Sequence, residues 1–432
     1  MTQLIFLTVV GAIVARALLM SRQGKVSCAI VSCISAAVYL TCLWIPAILQ
    51  SENLIISKIY LARLVALPTP DEVSSLSLRW ALELMVILAA EVASTIAAGS
   101  TPKTRPPNSK FGLRSMTPWD ARRIVIFLMI VGVISTIVLP ASSIEQRADG
   151  GQGFGVLMRS FLIVGLSMLA FYNFFNSNRF RLAAIAGVLF LIGGSVRSPL
   201  LVVLFGYVAG LISRGELLPK RMALLALIAV TLGIFGAFMS NLRGTIIRGE
   251  QVSVIEIATQ TMMSPYVSIY ESGIDTLDGY RLSMMIQPNE EARPLSVFTV
   301  FTNFIPRAIW PDKPADLSVE ISAKYLNYGA GGQFLSPIGY MSIAFGGYAF
   351  ALLGLFVFIF VTSRLAICFQ NSFVLAVVIC IVVRFMMGGA AFDIYYGLTL
   401  LIPLVCGIVF IRLLKGLSGG ARMPGVTPGR SV

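Results

Sequence analysis

Apolar runs of spanning length, each closed by a short polar stretch, recur along most of the chain. About 17–25 apolar residues cross the hydrocarbon of a bilayer as helix. In lipid the backbone must satisfy its own hydrogen bonds, so such runs are helical. Length and polar punctuation predict spans at about 3–20, 26–49, 76–98, 122–140, 154–175, 180–196, 198–213, 222–241, 337–362, 372–390 and 393–412. That is an all-α polytopic bundle of about eleven membrane helices. The first run lacks a basic leader and an A-x-A site, and reads as a span rather than a cleaved signal. Residues 52–66 set Lys58 and Arg63 among leucines and isoleucines, the pattern of an interfacial amphipathic helix.

Two stretches break the rhythm. Residues 99–121 are rich in Pro, Ser, Thr and Lys and read as a linker. Residues 242–336 form a long polar island that contains Phe304-Ile305-Pro306-Arg307-Ala308-Ile309-Trp310-Pro311-Asp312-Lys313-Pro314. The organisation expected is therefore 1–241 with helices one to eight, 242–336 as one large loop, 337–412 with helices nine to eleven, and 413–432 as a disordered tail.

Composition agrees with lipid as the solvent. Of 432 residues, 57% are hydrophobic and 12% charged, against roughly 25% charged in soluble domains. The net charge of +13 sits in short inter-helix loops, so it reports membrane topology and not a nucleic-acid partner. One set of alternating loops, with the tail, carries eighteen basic residues against Asp120 and Glu216. The island carries seven basic and ten acidic residues. This asymmetry predicts the first set and the C-terminus in the cytoplasm, and the N-terminus and island outside. Six cysteines lie in or beside apolar runs without metal-ligand spacing, and there is no histidine. Histidine acid–base chemistry, histidine metal ligation and a Ser-His-Asp triad are excluded.

Charge inside a span is costly and marks candidates for function. Arg16, Arg79, Glu83, Glu91, Arg159, Arg197, Arg384 and Asp393 lie within or beside spans. Arg79 and Glu83 are four apart on one helix face and are expected to pair. Arg16, Arg79 and Glu91 read as snorkelling or structural pairs. Arg197, between Gly193-Gly194 and Pro199, and Arg384, ahead of Met386-Met387-Gly388-Gly389, are expected in an outward-opening cavity that holds a multivalent anion. The planar guanidinium suits phosphate because it binds bidentately and keeps its proton. The competing reading is a structural pair with Glu83 or Asp393. On the same outer side the island adds Arg243, Arg248, Arg307 and Lys313. Arg243 and Arg248 alone would read as a solvated face. Prolines stiffen the segment around Arg307, and Trp310 can offer a flat face to a sugar ring or sit at the interface.

Asn303-Phe304-Ile305-Pro306-Arg307 followed by Trp310-Pro311-Asp312-Lys313-Pro314 resembles the periplasmic-loop signature of the bacterial O-antigen polymerase family, the Wzy-type polysaccharide polymerases. Ser336-Pro337-Ile338-Gly339-Tyr340 with Phe345-Gly346-Gly347 resembles that family's entry into the next helix. Gly194-Ser195-Val196-Arg197-Ser198-Pro199 is similar to its Gly-Ser-x-Arg turn. The chain departs from the family in having no glutamate in Tyr340-Met341-Ser342.

The resemblance implies a membrane-embedded glycosyltransferase of the bacterial inner membrane. It would join undecaprenyl-diphosphate-linked repeat units into O-antigen, capsular polysaccharide or exopolysaccharide at the periplasmic face. The implied partners are the lipid-linked oligosaccharide, the bilayer and a chain-length-regulating membrane protein, with no cofactor and no metal. The residues suit such a donor: apolar grooves for the isoprenoid, arginines for the diphosphate, an external loop for glycan. Arg197, Arg307 and Arg384 are the expected diphosphate ligands, with Arg243, Arg248, Trp310, Lys313 and Asp393 in supporting contact. Arginine stabilises the departing diphosphate without a metal. A carboxylate could take the acceptor's proton, and the candidates are Asp312, Asp316, Glu320, Glu271 and Asp393. Lys313 makes Asp312 a poor base, which favours Glu320 and Asp316. The alternatives are an O-antigen-ligase-like glycan transferase, against which the lack of histidine argues, and a lipid-linked oligosaccharide flippase, which needs no such loop.

Overall fold

A computed structural model describes residues 1–23, 28–52, 68–99, 118–138, 153–173, 198–225, 253–263, 279–286, 317–326, 335–369, 372–388 and 399–419, with scattered residues between 178 and 238 and at 277, 310 and 312. Every regular element among them is a helix. In chain order these are α1 (Thr2–Arg22), α2 (Cys28–Ser51), α3 (Pro70–Gly99), α4 (Pro118–Val138), α5 (Gly153–Phe171), α6 (Ser198–Ser213), α7 (Val254–Met263), α8 (Leu317–Leu326), α9 (Pro337–Phe345), α10 (Tyr348–Phe369), α11 (Ser372–Gly388) and α12 (Leu401–Gly419).

The all-helical class expected from the sequence holds among the described residues. The span count is smaller there. Thr2–Arg22, Ala29–Leu49 and Pro70–Ala97 are long and apolar enough to cross a membrane, and Pro337–Phe345 with Tyr348–Arg364 adds a fourth if that bent pair is one span. Ser160–Phe171, Leu200–Ser213 and Leu401–Leu414 are apolar but shorter. The spans expected at 180–196 and 222–241 fall largely outside the described residues, as do the interfacial helix at 52–66 and most of the linker 99–121.

The packing is that of a bundle with an apolar exterior. Phe6, Ile13, Trp80, Leu84, Leu128, Leu162 and Leu169 are buried in one large core. The outward faces are apolar as well: Ile126, Ile130, Ile134 and Ile137 line α4, and Phe350, Leu353, Val357 and Val361 line α10, all exposed. A continuous apolar stripe on an outer surface fits lipid, not water.

With lipid outside, burial of apolar surface alone does not hold helices together, and close packing of small residues takes over. Gly206 and Gly210 on α6, four apart and so on one face, meet Ser167 and Phe171 on α5, also four apart. A methyl group at Gly210 would overlap the Phe171 carbonyl, and one at Gly132 on α4 would lie 2.5 Å from the backbone nitrogen of Leu162. On the same α5 face, Cys380 Sγ of α11 lies 3.1 Å from Ser167 Oγ.

Part of the polar island is folded. Leu282, Ile286, Leu317, Ile321, Leu335, Tyr340, Ile343 and Ala344 form a second, smaller core. The residues come from the segment 279–286, from α8, from α9 and from Leu335 just ahead of it. Gly339 gives the notch that admits the segment, since a Cβ there would overlap Ser283 Oγ.

Three boundaries differ from expectation. α3 begins at Pro70, six residues ahead of the span expected at 76–98. The span expected at 337–362 is divided into α9 and α10, which meet at 120°. Gly346 ends α9 in the left-handed conformation (φ 74°). The Gly347 N–H reaches back to the Ser342 carbonyl at 2.9 Å, the Schellman termination that glycine permits. At the C-terminus, α12 runs on to Gly419, so the tail expected from 413 begins as helix.

The glycine seam makes a prediction. Gly210→Ala should destabilise the protein in detergent by about 1–3 kcal/mol, the usual cost of overpacking. Gly11→Ala, where no atom lies within 4 Å of an added Cβ, should not. Thermal unfolding of both variants beside wild type checks this, and equal midpoints would refute the seam.

Candidate functional site

The site is built on the first half of α3. Its start is specified locally: Thr69 Oγ1 accepts the Glu72 N–H at 3.2 Å, Pro70 opens the helix, and Asp71 and Glu72 occupy the first turn. A side-chain cap, a proline and early acids together define a helix N-terminus. Glu72 and Glu83 are eleven residues apart, about three turns, and at 100° per residue they return to within about 20° of one another. Both carboxylates therefore lie along one face of α3.

That face grips the island. Arg281 donates from Nε and Nη2 to the two oxygens of Glu72 at 2.7 and 2.8 Å. The arginine side chain is only 4% exposed, its partner 36%. Tyr280 Oη donates to Glu83 Oε1 at 2.6 Å, and the ring packs edge-on against Trp80 with centroids 5.7 Å apart. Burial, reinforced by the Glu83 charge, raises the Tyr280 phenol well above its ordinary range, so it stays protonated as a donor.

The same carboxylate reaches the elbow between α9 and α10. Tyr348, the first residue after the two glycines, directs its hydroxyl to the Arg79 carbonyl at 3.1 Å and to Glu83 Oε1 at 3.4 Å. The Arg79 guanidinium lies over the Tyr348 ring, 5.7 Å from its centroid. The pair expected between Arg79 and Glu83 is thus replaced: Glu83 takes phenolic donors, and Arg79 takes an aromatic face. Glu83 is buried, and a buried carboxylate needs such donors.

A second polar cluster lies at the other end of the bundle. The α1 residue Phe6 packs near Trp44 and Trp80. Some fifteen residues on, about 22 Å along the helix, Ser21 Oγ accepts the Leu217 N–H at 3.1 Å. Beside it Arg214 Nη1 donates to the Phe171 carbonyl at 2.6 Å, and Arg221 donates to Glu216 at 2.6 Å. Glu216, Arg221, Asn173, Tyr207 and Leu211 face a cavity of about 230 Å³. Between the two ends, Arg16 makes a two-pronged pair with Glu91 at 3.1 Å from each nitrogen. Glu91 is fully buried, so this is the structural pair the sequence offered as one reading.

Of the residues expected to carry function, Arg197, Arg243, Arg248, Arg307, Lys313, Asp316, Asp393 and Glu271 lie outside the described residues. Arg384 is on α11. Glu320 sits half-buried in the first turn of α8, with Ile321 in the small core. Trp310 is 37% exposed, and Asp312 is exposed. The described residues thus bring together a set that sequence reasoning did not: Glu72, Glu83, Tyr280, Arg281 and Tyr348. The available signal was two acids eleven apart on one helix face. Nothing local names their partners, some 200 residues away. Comparison with family models, with curated proteins and with solved structures finds no match to the chain.

The basic end yields a pH prediction. The Arg221 hydrogen bond, with Arg214 beside it, lowers the Glu216 pKa. The ionised carboxylate therefore stabilises the fold at pH above the ordinary glutamate value, roughly 4.3. That contribution is lost as pH falls through the lowered folded value. Glu216→Gln should lower the thermal midpoint at neutral pH, and the gap to wild type should close on acidification below about pH 4. A gap independent of pH would contradict the assignment.

Proposed function

We propose that the protein polymerises undecaprenyl-diphosphate-linked oligosaccharide repeat units at the outer face of a bacterial cytoplasmic membrane, with the polar island outside. The observation that carries this reading is that the island is partly folded and fastened to one end of an apolar bundle by Glu72 and Glu83. A loop that only connected two spans would need neither a core nor carboxylate anchors.

The distribution of polar groups supports the orientation. Arg214, Glu216 and Arg221 gather at one end of α1, and Tyr280, Arg281 and Tyr348 at the other. The loops at the first end belong to the basic set, which favours the cytoplasm. The island end then faces the periplasm, where a carrier lipid presents its glycan.

In the proposed chemistry the isoprenoid lies against the apolar helices, and arginines receive the diphosphate. Arg384 on α11, Arg197 ahead of α6 and Arg307 in the island supply charge that grows in value as the sugar–phosphate bond breaks. The acceptor hydroxyl of the second repeat unit forms the new glycosidic bond and gives up its proton. Lipid diphosphate leaves. Glu320, on a helix packed into the small core, is the best-placed described carboxylate of the expected set to take that proton.

Purified protein incubated with a synthetic lipid-diphosphate-linked repeat unit should give a ladder of products on a gel, and the ladder should persist in EDTA. Transfer to a lipid A core acceptor without chain growth would reassign the protein to the ligases, and transbilayer movement without a new bond to the flippases. Arg197→Ala, Arg307→Ala and Arg384→Ala should each cut the elongation rate by about a hundredfold, the usual loss for one donor to developing charge. Arg→Lys should rescue poorly because the fork is lost. Wild-type ladders from all three alanine variants would sink the arginine clamp.

A further inference from the structure

The Glu83 carboxylate is bonded from two directions by parts of the chain that flank the island's arginine-bearing stretch. Tyr280 lies just before it, and Tyr348 just after the chain re-enters the bundle. Between them the small core draws Ile286, Leu317 and Leu335 together. Arg293, Arg307 and Lys313 lie in sequence between Ile286 and Leu317, two members of that one apolar cluster. Glu83 and Glu72 tie that cluster to α3 through Tyr280 and Arg281.

We propose that Glu83 is a positioning residue: its carboxylate clasps the segment 279–286 and the α9–α10 elbow onto α3, and so sets where the island stands over the bundle. The inference rests on the function proposed above. If a diphosphate is shared between arginines of the bundle and of the island, the affinity of the second set is governed by its effective concentration at the first. A clasp that fixes the two at one separation raises that concentration, and a loosened clasp dilutes it. The consequence falls on donor binding, not on the bond-breaking step, because Glu83 is buried and bonded to phenols rather than to anything that reacts.

Two features separate a clasp from general support. The Tyr280 ring packs against Trp80 through contacts that survive removal of its hydroxyl, so Tyr280→Phe tests the bond without emptying the core. Tyr348 stands at 3.4 Å, against 2.6 Å for Tyr280. The longer contact is the weaker one, so Tyr348→Phe should have the smaller effect.

The experiment uses the full-length protein in nanodiscs with the synthetic lipid-diphosphate-linked repeat unit. It compares wild type with Tyr280→Phe, Tyr348→Phe and Glu83→Gln. Steady-state elongation gives KM and kcat, and hydrogen–deuterium exchange follows the peptide covering 279–286. The expected result is faster exchange of that peptide and a KM raised about tenfold in Tyr280→Phe and Glu83→Gln, with kcat within about twofold of wild type. Tyr348→Phe should lie between these and wild type. Equal falls in kcat and in folded yield with KM unchanged would mean ordinary structural support and overturn the proposal. Unchanged exchange would overturn it too, since the bond would then hold nothing. A wild-type protein that neither elongates nor binds the lipid-linked unit, yet shows faster exchange in the variants, would sink the polymerase reading and the donor-binding role while leaving the clasp itself measured.

Discussion

The Glu83 carboxylate is the constraint on which the architecture around the folded part of the island depends. It sits on a helix of spanning length with apolar neighbours at Leu82 and Leu84, where a carboxyl group left without a hydrogen-bond partner would cost about 1–3 kcal/mol. The chain satisfies it with phenols from two segments far away in sequence, Tyr280 and Tyr348. Satisfying one buried group thus brings three distant parts of the chain together. The elbow at Gly346–Gly347 follows from the same need. A straight continuation of α9 into α10 would not turn the chain by the 120° observed just before Tyr348 meets α3.

Two kinds of cohesion divide the molecule. Between α5 and α6 the helices meet through small residues, at Gly206 and Gly210 against Ser167 and Phe171, because lipid gives apolar side chains little reason to prefer one another over the solvent. At the island end an apolar mini-core forms from Leu282, Leu317, Leu335 and Tyr340, and here burial from water is available as a driving force. Among the described residues, polar clusters stand at the two ends, and the Arg16–Glu91 pair lies between them.

The legible parts of this fold were the local ones. The apolar run at 76–98 marked α3, although the Thr69 cap starts the helix six residues earlier, at Pro70. The apolar runs announced an all-helical bundle. The elbow was visible as Gly346-Gly347 but was read through, because apolar residues on both sides continue the hydropathy of one span. The reach of α12 to Gly419 was missed for the opposite reason: the small residues after Leu417 look like a tail when packing is not considered. Arg79 and Glu83 were expected to pair because spacing of four on a helix places them side by side. Spacing says nothing of a tyrosine arriving from residue 348 with a ring for one and a hydroxyl for the other. Long-range partners such as Arg281 for Glu72 have no local signature at all.

A chain without histidine is left with arginine, lysine, carboxylate, thiol and phenol as its titratable side chains. Arginine cannot give up its proton at accessible pH, so it holds charge and does not transfer protons. The described carboxylates divide by surroundings. Glu72, Glu83 and Glu91 are engaged by arginine or tyrosine, and each is occupied with holding helices or the island in place. Glu320 differs in position: it lies on α8, half-buried on a helix anchored through Leu317 and Ile321, and it belongs to the island, not to the bundle. For the proton transfer proposed above, the carboxylate must be reachable by a hydroxyl arriving from water. Glu83 and Glu91 are buried too deeply for that, whereas Glu320 stands half-buried on the folded part of the island.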